Sequence, residues 1–142
     1  MRDQLSSLHI LNAISPVAAR TNNTAIASSI IDRQGYDSLT FGIAVGTNTD
    51  ADVTFAVTME HGNDSGLSDT AAVTAADVAG TLTLAGFQFD DDAESRKVGY
   101  VGAKRYVRLT ITPSGNDSGN IFVAALAILG NPALAPTPNP PV

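Results

Sequence analysis

Three groups of residues in this chain have the types and spacing to do chemistry. His61 follows Glu60 and precedes Asp64, Ser65, Ser68 and Asp69, so a base, carboxylates and hydroxyls lie close together, as a hydrolytic triad would need. No Gly-x-Ser-x-Gly elbow presents a nucleophile, and no second constellation supports one, so His61 reads as a loop histidine. The run Asp90-Asp91-Asp92-Ala93-Glu94 offers the oxygen ligands that calcium takes. It lacks the spaced Asp-x-Asp-x-Asp-Gly pattern, and consecutive carboxylates form a solvated loop more often than a cage. The third group is basic: Arg96, Lys97, Lys104, Arg105 and Arg108, drawn from only 8 Lys and Arg in the chain. Such a patch has two readings. It pairs internally with Asp32, Asp37 or the 90–94 acids, or it docks an acidic partner and sets orientation more than affinity.

Composition narrows the chemistry further. The 142 residues suit one domain, and with no cysteine there is no disulfide, thiol nucleophile or Cys-based metal site. His9 and His61 are the only histidines, so a His-rich centre is excluded and no cofactor is expected. Charged residues make up 15% of the chain, against about 25% in an average soluble domain. A surface with Lys97 and Lys104 as its only lysines suits burial against other protein, because interfaces are depleted in Lys and Glu. Net charge is −6 with a pI near 4.5, which argues against nucleic acid as a partner. No run approaches the roughly 18 apolar residues of a membrane span. The N-terminal segment has one Arg followed by Asp3, with His9 and Asn12 breaking its apolar part, so it reads as mature protein from a reducing cytoplasm. Asn22, Asn63 and Asn116 then belong to turns and not to glycosylation sites.

The elements that must position these groups are strands. Residues 36–45 alternate, with Leu39, Phe41, Ile43 and Val45 on one face; 52–60 repeat the pattern with Val53, Phe55, Val57 and Met59. The turn residues at 46–51 predict that this pair is a hairpin. Residues 104–112 form a third strand with Val107, Leu109 and Ile111 inward. A fourth, 121–129, is apolar on both faces, so both must be covered, by the fold or by a neighbour. Weaker strands are expected near 7–15, 24–31, 81–88 and 98–102, and the Ala-rich 67–79 as a short helix or a loop crossing. Gly-Asn-Asp-Ser-Gly occurs at 62–66 and at 115–119, a composition that tight turns require. The expected fold is all-β: a single-domain antiparallel β-sandwich or jelly roll. Residues 1–20 form an N-terminal arm and first strand, 21–130 the sandwich, and 131–142 an extended C-terminal arm containing Pro132, Pro136, Pro138, Pro140 and Pro141.

Three stretches carry a family likeness: IDRQGYDSLTFGIAVGTNTDADVTFAVTMEHGNDSG at 31–66, VGYVGAKRYVRLTIT at 98–112 and AALAILGNPALAP at 124–136. Together they resemble small structural proteins of tailed bacteriophages, similar to the decoration, or cement, proteins of the capsid. The run from Val98 to Arg108 is the most specific. The resemblance implies a protein of the outer capsid surface, made in the bacterial host cytoplasm, that needs no active site. Its partners would be the major capsid protein and copies of itself, with a trimer preferred from the symmetry of the lattice. The basic residues 96–108 and the prolines of the C-terminal arm would be its contacts. Rivals are a tail, neck or head-fibre component, and a carbohydrate-binding β-sandwich. The latter has only Tyr36, Tyr100 and Tyr106 to stack on sugars, since the chain has no Trp. An enzyme is disfavoured because nothing pairs a nucleophile with a base and an orienting group.

Overall fold

The computed structural model describes residues 3–141. Alternating apolar residues drive strand formation throughout, and two antiparallel sheets result. The first sheet has the order β1 (Leu8–Ile14), β11 (Ile121–Pro132), β4 (Tyr36–Asn48), β9 (Ser95–Tyr100), β7 (Val78–Ala79). The second has the order β2 (Ile26–Ala27), β10 (Tyr106–Ser114), β5 (Thr54–Gly62), β6 (Ala71–Ala72); β3 (Ile31–Asp32) also pairs with β10 and β8 (Phe87–Gln88) with β5. Taking β2 and β3 as one broken edge strand, the chain shuttles between the sheets as a jelly roll does. β1, β11, β4 and β9 lie side by side in one sheet. The broken strand, β10, β5 and β6 face them in the other.

Between the sheets the core is closed by Leu39, Phe41 and Ile43 of β4, Phe55 and Met59 of β5, Val107, Leu109 and Ile111 of β10, and Ala125, Ala127 and Leu129 of β11, all buried. Burying each of the larger side chains contributes about 1.5–3 kcal/mol before the entropy of ordering is set against it. Phe55 and Phe87 stack at 4.2 Å and fasten β8 to the end of the core.

Several expectations are corrected. Strands 36–45 and 52–60 do not form a hairpin: β4 pairs with β11 and β9, and β5 with β10. The intervening loop is a corner that passes the chain from one sheet to the other. Asn48 N–H donates to Asp92, Thr49 N–H to the Asn120 carbonyl, and Ser118 N–H to Asp50, so three loops are clasped at that end of the sandwich. Over 81–88 most of the expected strand is a short helix, α1 (Leu82–Ala85), started where Thr81 Oγ1 accepts the Leu84 N–H at 3.1 Å. The expected strand over 24–31 is interrupted at Ser28, whose hydroxyl accepts the Leu109 N–H at 3.0 Å.

The C-terminal segment also departs from expectation. β11 continues through Pro132, which pairs with Tyr36. Beyond it the chain turns back over its own N-terminal segment. Ala133 N–H donates to the Gly35 carbonyl at 2.8 Å, and Thr137 N–H to the Ser6 carbonyl at 3.0 Å. Pro138 and Pro141 line a shallow hollow with Leu5, Leu8 and Ile10. Pro136 and Pro140 are exposed along the same path. The proline-rich segment is therefore ordered against β1, with few N–H groups that another strand could use.

Truncation of the fully buried Leu109 to Ala is expected to cost about 2–5 kcal/mol in urea unfolding. The same change at Leu134, which is 87% exposed, is expected to stay within about 0.5 kcal/mol.

Candidate functional site

The pleat of β11 sends Ile121, Val123, Ala125, Ala127 and Leu129 into the core and Phe122, Ala124, Leu126 and Ile128 out of it. Register fixes what lies beside them. Ile10 stands opposite Ile128, which stands opposite Thr40, and Thr40 opposite Gly99. One row along are Asn12, Leu126, Gly42 and Lys97, and then Ala124, Ala44 and Ser95. Ile10, Leu126 and Phe122 are 44%, 45% and 46% exposed. Beside them the small residues Gly42, Ala44 and Ala124 form the floor of a hollow of about 380 Å³, with Leu126, Ile128 and Pro16 on its walls. Lys97 is the only charged residue among these outward positions.

The second sheet is the contrast. Its outward residues include Thr54, Thr58 and Glu60 of β5, and Arg108, Thr110 and Thr112 of β10. That is the polar outer face a free antiparallel sheet presents to water. The first sheet shows apolar groups on both faces. The candidate site is therefore its outer face, and the residue pattern suits protein contact.

Of the basic residues singled out in the sequence, Arg96 borders this hollow and Lys97 stands on the face, while Lys104, Arg105 and Arg108 lie elsewhere. Arg105 pairs in fork geometry with Asp32, at 2.9 and 2.7 Å, and lies over the Tyr106 ring. Arg108 pairs across the β5–β10 ladder with Glu60, while Arg96 pairs with Asp91 at 3.1 Å and with Glu94. Arg105 holds the Asp32 carboxyl below the usual range, and Arg108 does the same for Glu60. Lys104 is half-buried, its backbone N–H donating to Tyr100 Oη at 3.0 Å. Lys97 is exposed on the outer face of the first sheet, opposite Gly42. Internal pairing thus accounts for the three arginines: Asp32 and two of the 90–94 acids are among the partners expected from the sequence, whereas Glu60, which takes Arg108, is not.

His61 is not a loop residue. It lies in β5, buried, with Nδ1 sharing a hydrogen bond with Tyr100 Oη at 2.8 Å. Tyr100 itself is 1% exposed, and burial raises its pKa while Arg33 lies over its ring. Asp64 and Asp69 are spent on turns: Asp64 accepts the Gly66 and Ser68 N–H groups, and Asp69 those of Asn63 and Asp64. Nor do the tyrosines form a sugar-stacking platform. Tyr36 is half-buried and stacks on His9, Tyr100 is internal, and Tyr106 lies under Arg105.

The acidic loop is likewise engaged, with Asp91 accepting the Gln88 N–H and Asp92 that of Asn48. The two copies of Gly-Asn-Asp-Ser-Gly fold differently. In the second, the buried Asn116 donates from Nδ2 to the Arg20 and Asn22 carbonyls and pins that segment to the end of β10. Next to it, carboxylate oxygens of Asp50, Asp52 and Asp117 come within 4.8 Å of one another, a grouping that two separated loops hid from the sequence. N–H groups of Asp52 and Ser118 pull the Asp50 carboxyl to about 2, while its own proximity raises Asp52. Asp50 acts as the clasp of this corner.

Comparison with known proteins follows the fold. No protein-family model matches the chain, and no curated protein matches it. A chain in the structure of infectious bursal disease virus, Gx strain, superposes with a TM-score of 0.50 at 14% identity, over 94% of this chain and 35% of that one. The CBM22-1–GH10 modules of the N-terminal endo-1,4-beta-D-xylanase 10B of Clostridium thermocellum, complexed with xylohexaose, give 0.46 at 12% identity, over 92% and 28%. The SPBc2 prophage-derived protein YomS gives 0.44 at 7% identity, over 92% and 99%. The chain thus spans about a third of the length of the first two. At 14% identity, the likeness to the viral chain is one of fold. Among the described residues, no helix is long and apolar enough to cross a membrane.

Two outcomes follow from these ion pairs and carboxylates. Reversal of Arg105 to Glu is expected to lower the melting midpoint only slightly, because the Arg105–Asp32 pair is exposed and screened by solvent; thermal unfolding reads this. The depressed folded pKa of Asp50 makes its charged form stabilising above its unfolded value, near 3.9. That contribution is lost as pH falls toward about 2, so the midpoint should drop across this window and Asp50→Asn should flatten the drop.

Proposed function

We propose that this chain is a structural protein of a phage head, a decoration protein seated on the outer surface of the expanded capsid lattice. The observation that carries the reading is the uncovered apolar outer face of the first sheet: Phe122, Leu126, Ile128 and Ile10 beside Gly42, Ala44 and Ala124. A sheet destined for water puts polar residues there, as the second sheet does. An apolar face beside an otherwise polar surface marks contact with protein. The resemblance in sequence to phage head proteins supplies the partner, the major capsid protein, and the role.

Such a protein works by binding and not by turnover. A ligand that binds only the expanded lattice stabilises that state by mass action and opposes its rupture by packaged DNA. Many copies, each with modest affinity, act together when joined, since the second contact of a linked pair forms at high effective concentration. The low charge content of the chain suits surfaces that are covered in the assembled particle.

The test is reconstitution. Particles lacking this protein are mixed with the wild type or with Leu126→Asp and separated from free chain by sedimentation. The wild type is expected to co-sediment and Leu126→Asp to remain in the supernatant at least tenfold more, while both unfold cooperatively. Equal retention of the two forms contradicts the assignment of the face, and no retention of either contradicts the function.

A further inference from the structure

We infer that the outer face of the first sheet also joins two copies of this chain, packed face to face about a two-fold axis. The inference rests on the reading above, that protein covers this face, and assigns a second copy as its occupant in the free protein, exchanged for the capsid subunit on the particle, so that the two contacts compete for one patch.

Area gives the first argument. The chain exposes 7808 Å². A compact monomer of 14.6 kDa exposes about 6,900 Å², so this one leaves an excess on the order of 900 Å². A standard interface removes about 800 Å² from each partner. The excess is therefore of the size that one pairing would cover.

Shape gives the second. A two-fold interface needs one patch that complements itself, with each residue meeting a different one on the partner. This face carries both halves of such a contact. Leu126, Ile128 and Phe122 protrude from β11, and next to them the hollow is floored by Gly42, Ala44 and Ala124. The knobs of one copy have a matching depression on the other. A threefold ring, expected from the lattice alone, would require two different patches.

Charge gives the third. Two chains of net charge −6 repel unless they meet where the charge is not. Half of the 14 carboxylates stand in the clasped loops at one end of the sandwich: Asp50, Asp52, Asp90, Asp91, Asp92, Glu94 and Asp117. The outward positions of the first sheet hold Lys97 and no carboxylate. It is the surface on which like copies approach at least cost. It also needs cover from the moment of synthesis, since a free apolar patch invites aggregation.

Sedimentation of the full chain over a wide range of concentrations tests the pairing. The wild type is expected at twice the chain mass, dissociating on dilution. Leu126→Asp and Ala44→Arg are expected at the chain mass, folded cooperatively and with a melting midpoint that no longer rises with concentration, and Thr58→Asp, on the polar face of the second sheet, at twice the mass. Should Leu126→Asp fail to fold, Ala44→Arg, at an exposed position, carries the comparison. A wild type that stays at the chain mass throughout, or a dimer that both face variants leave intact, overturns the pairing. A monomeric wild type whose Leu126→Asp variant still fails to bind particles overturns the pairing and leaves the proposed function standing. A face-dependent dimer that never binds particles does the reverse.

Discussion

The whole arrangement depends on one constraint: β11 is apolar on both faces and lies in the interior of its sheet. Its inward residues meet the opposing sheet and close the core, with Ala125, Ala127 and Leu129 almost completely buried. Its ladders with β1 and β4 hold the first sheet together. The same alternation that satisfies the inner face leaves Phe122, Leu126 and Ile128 pointing away from the domain, the first two nearly half exposed and Ile128 half-buried. Folding solves half of the strand's hydrophobic problem and leaves the other half at the surface.

Within that frame the polar residues have local duties. Asp50, Asp92 and Asn116 clasp the loops at one end, and Asp64 and Asp69 shape the turn at 62–70. Arg96, Arg105 and Arg108 are held by carboxylates of the same molecule. With these three arginines paired and half of its acids at one end, the chain has a broad face with little charge. Low charge, which first stood out in the composition, thus has a definite location in the structure.

Period-two alternation made the long strands legible, including which residues of 36–45, 52–60 and 104–112 point inward. The number of strands made the sandwich legible. Pairing was not, because Gly, Asn and Asp between two strands specify a reversal of direction without saying whether it stays in one sheet. The 46–53 corner is decided by bonds to residues 92, 118 and 120, far away in sequence. For the same reason Glu60 was hidden as the partner of Arg108, although Asp32 was legible as a partner for the basic patch, and His61, beside turn residues, gave no sign of its bond to Tyr100. The candidate face was half legible: the two-sided apolarity of 121–129 showed that cover was needed. The register that sets Gly42 and Ala44 beside Leu126 and Ala124 required the fold.

Abundance in the particle separates a lattice-covering protein from a minor component. Quantitative mass spectrometry of purified virions, with the major capsid protein as internal standard, counts this chain directly. A protein that covers the head lattice is predicted in hundreds of copies, comparable in number to the capsid subunits themselves. A handful of copies would contradict lattice coverage and move the chain to the neck or tail, and absence from the virion would contradict the structural role itself.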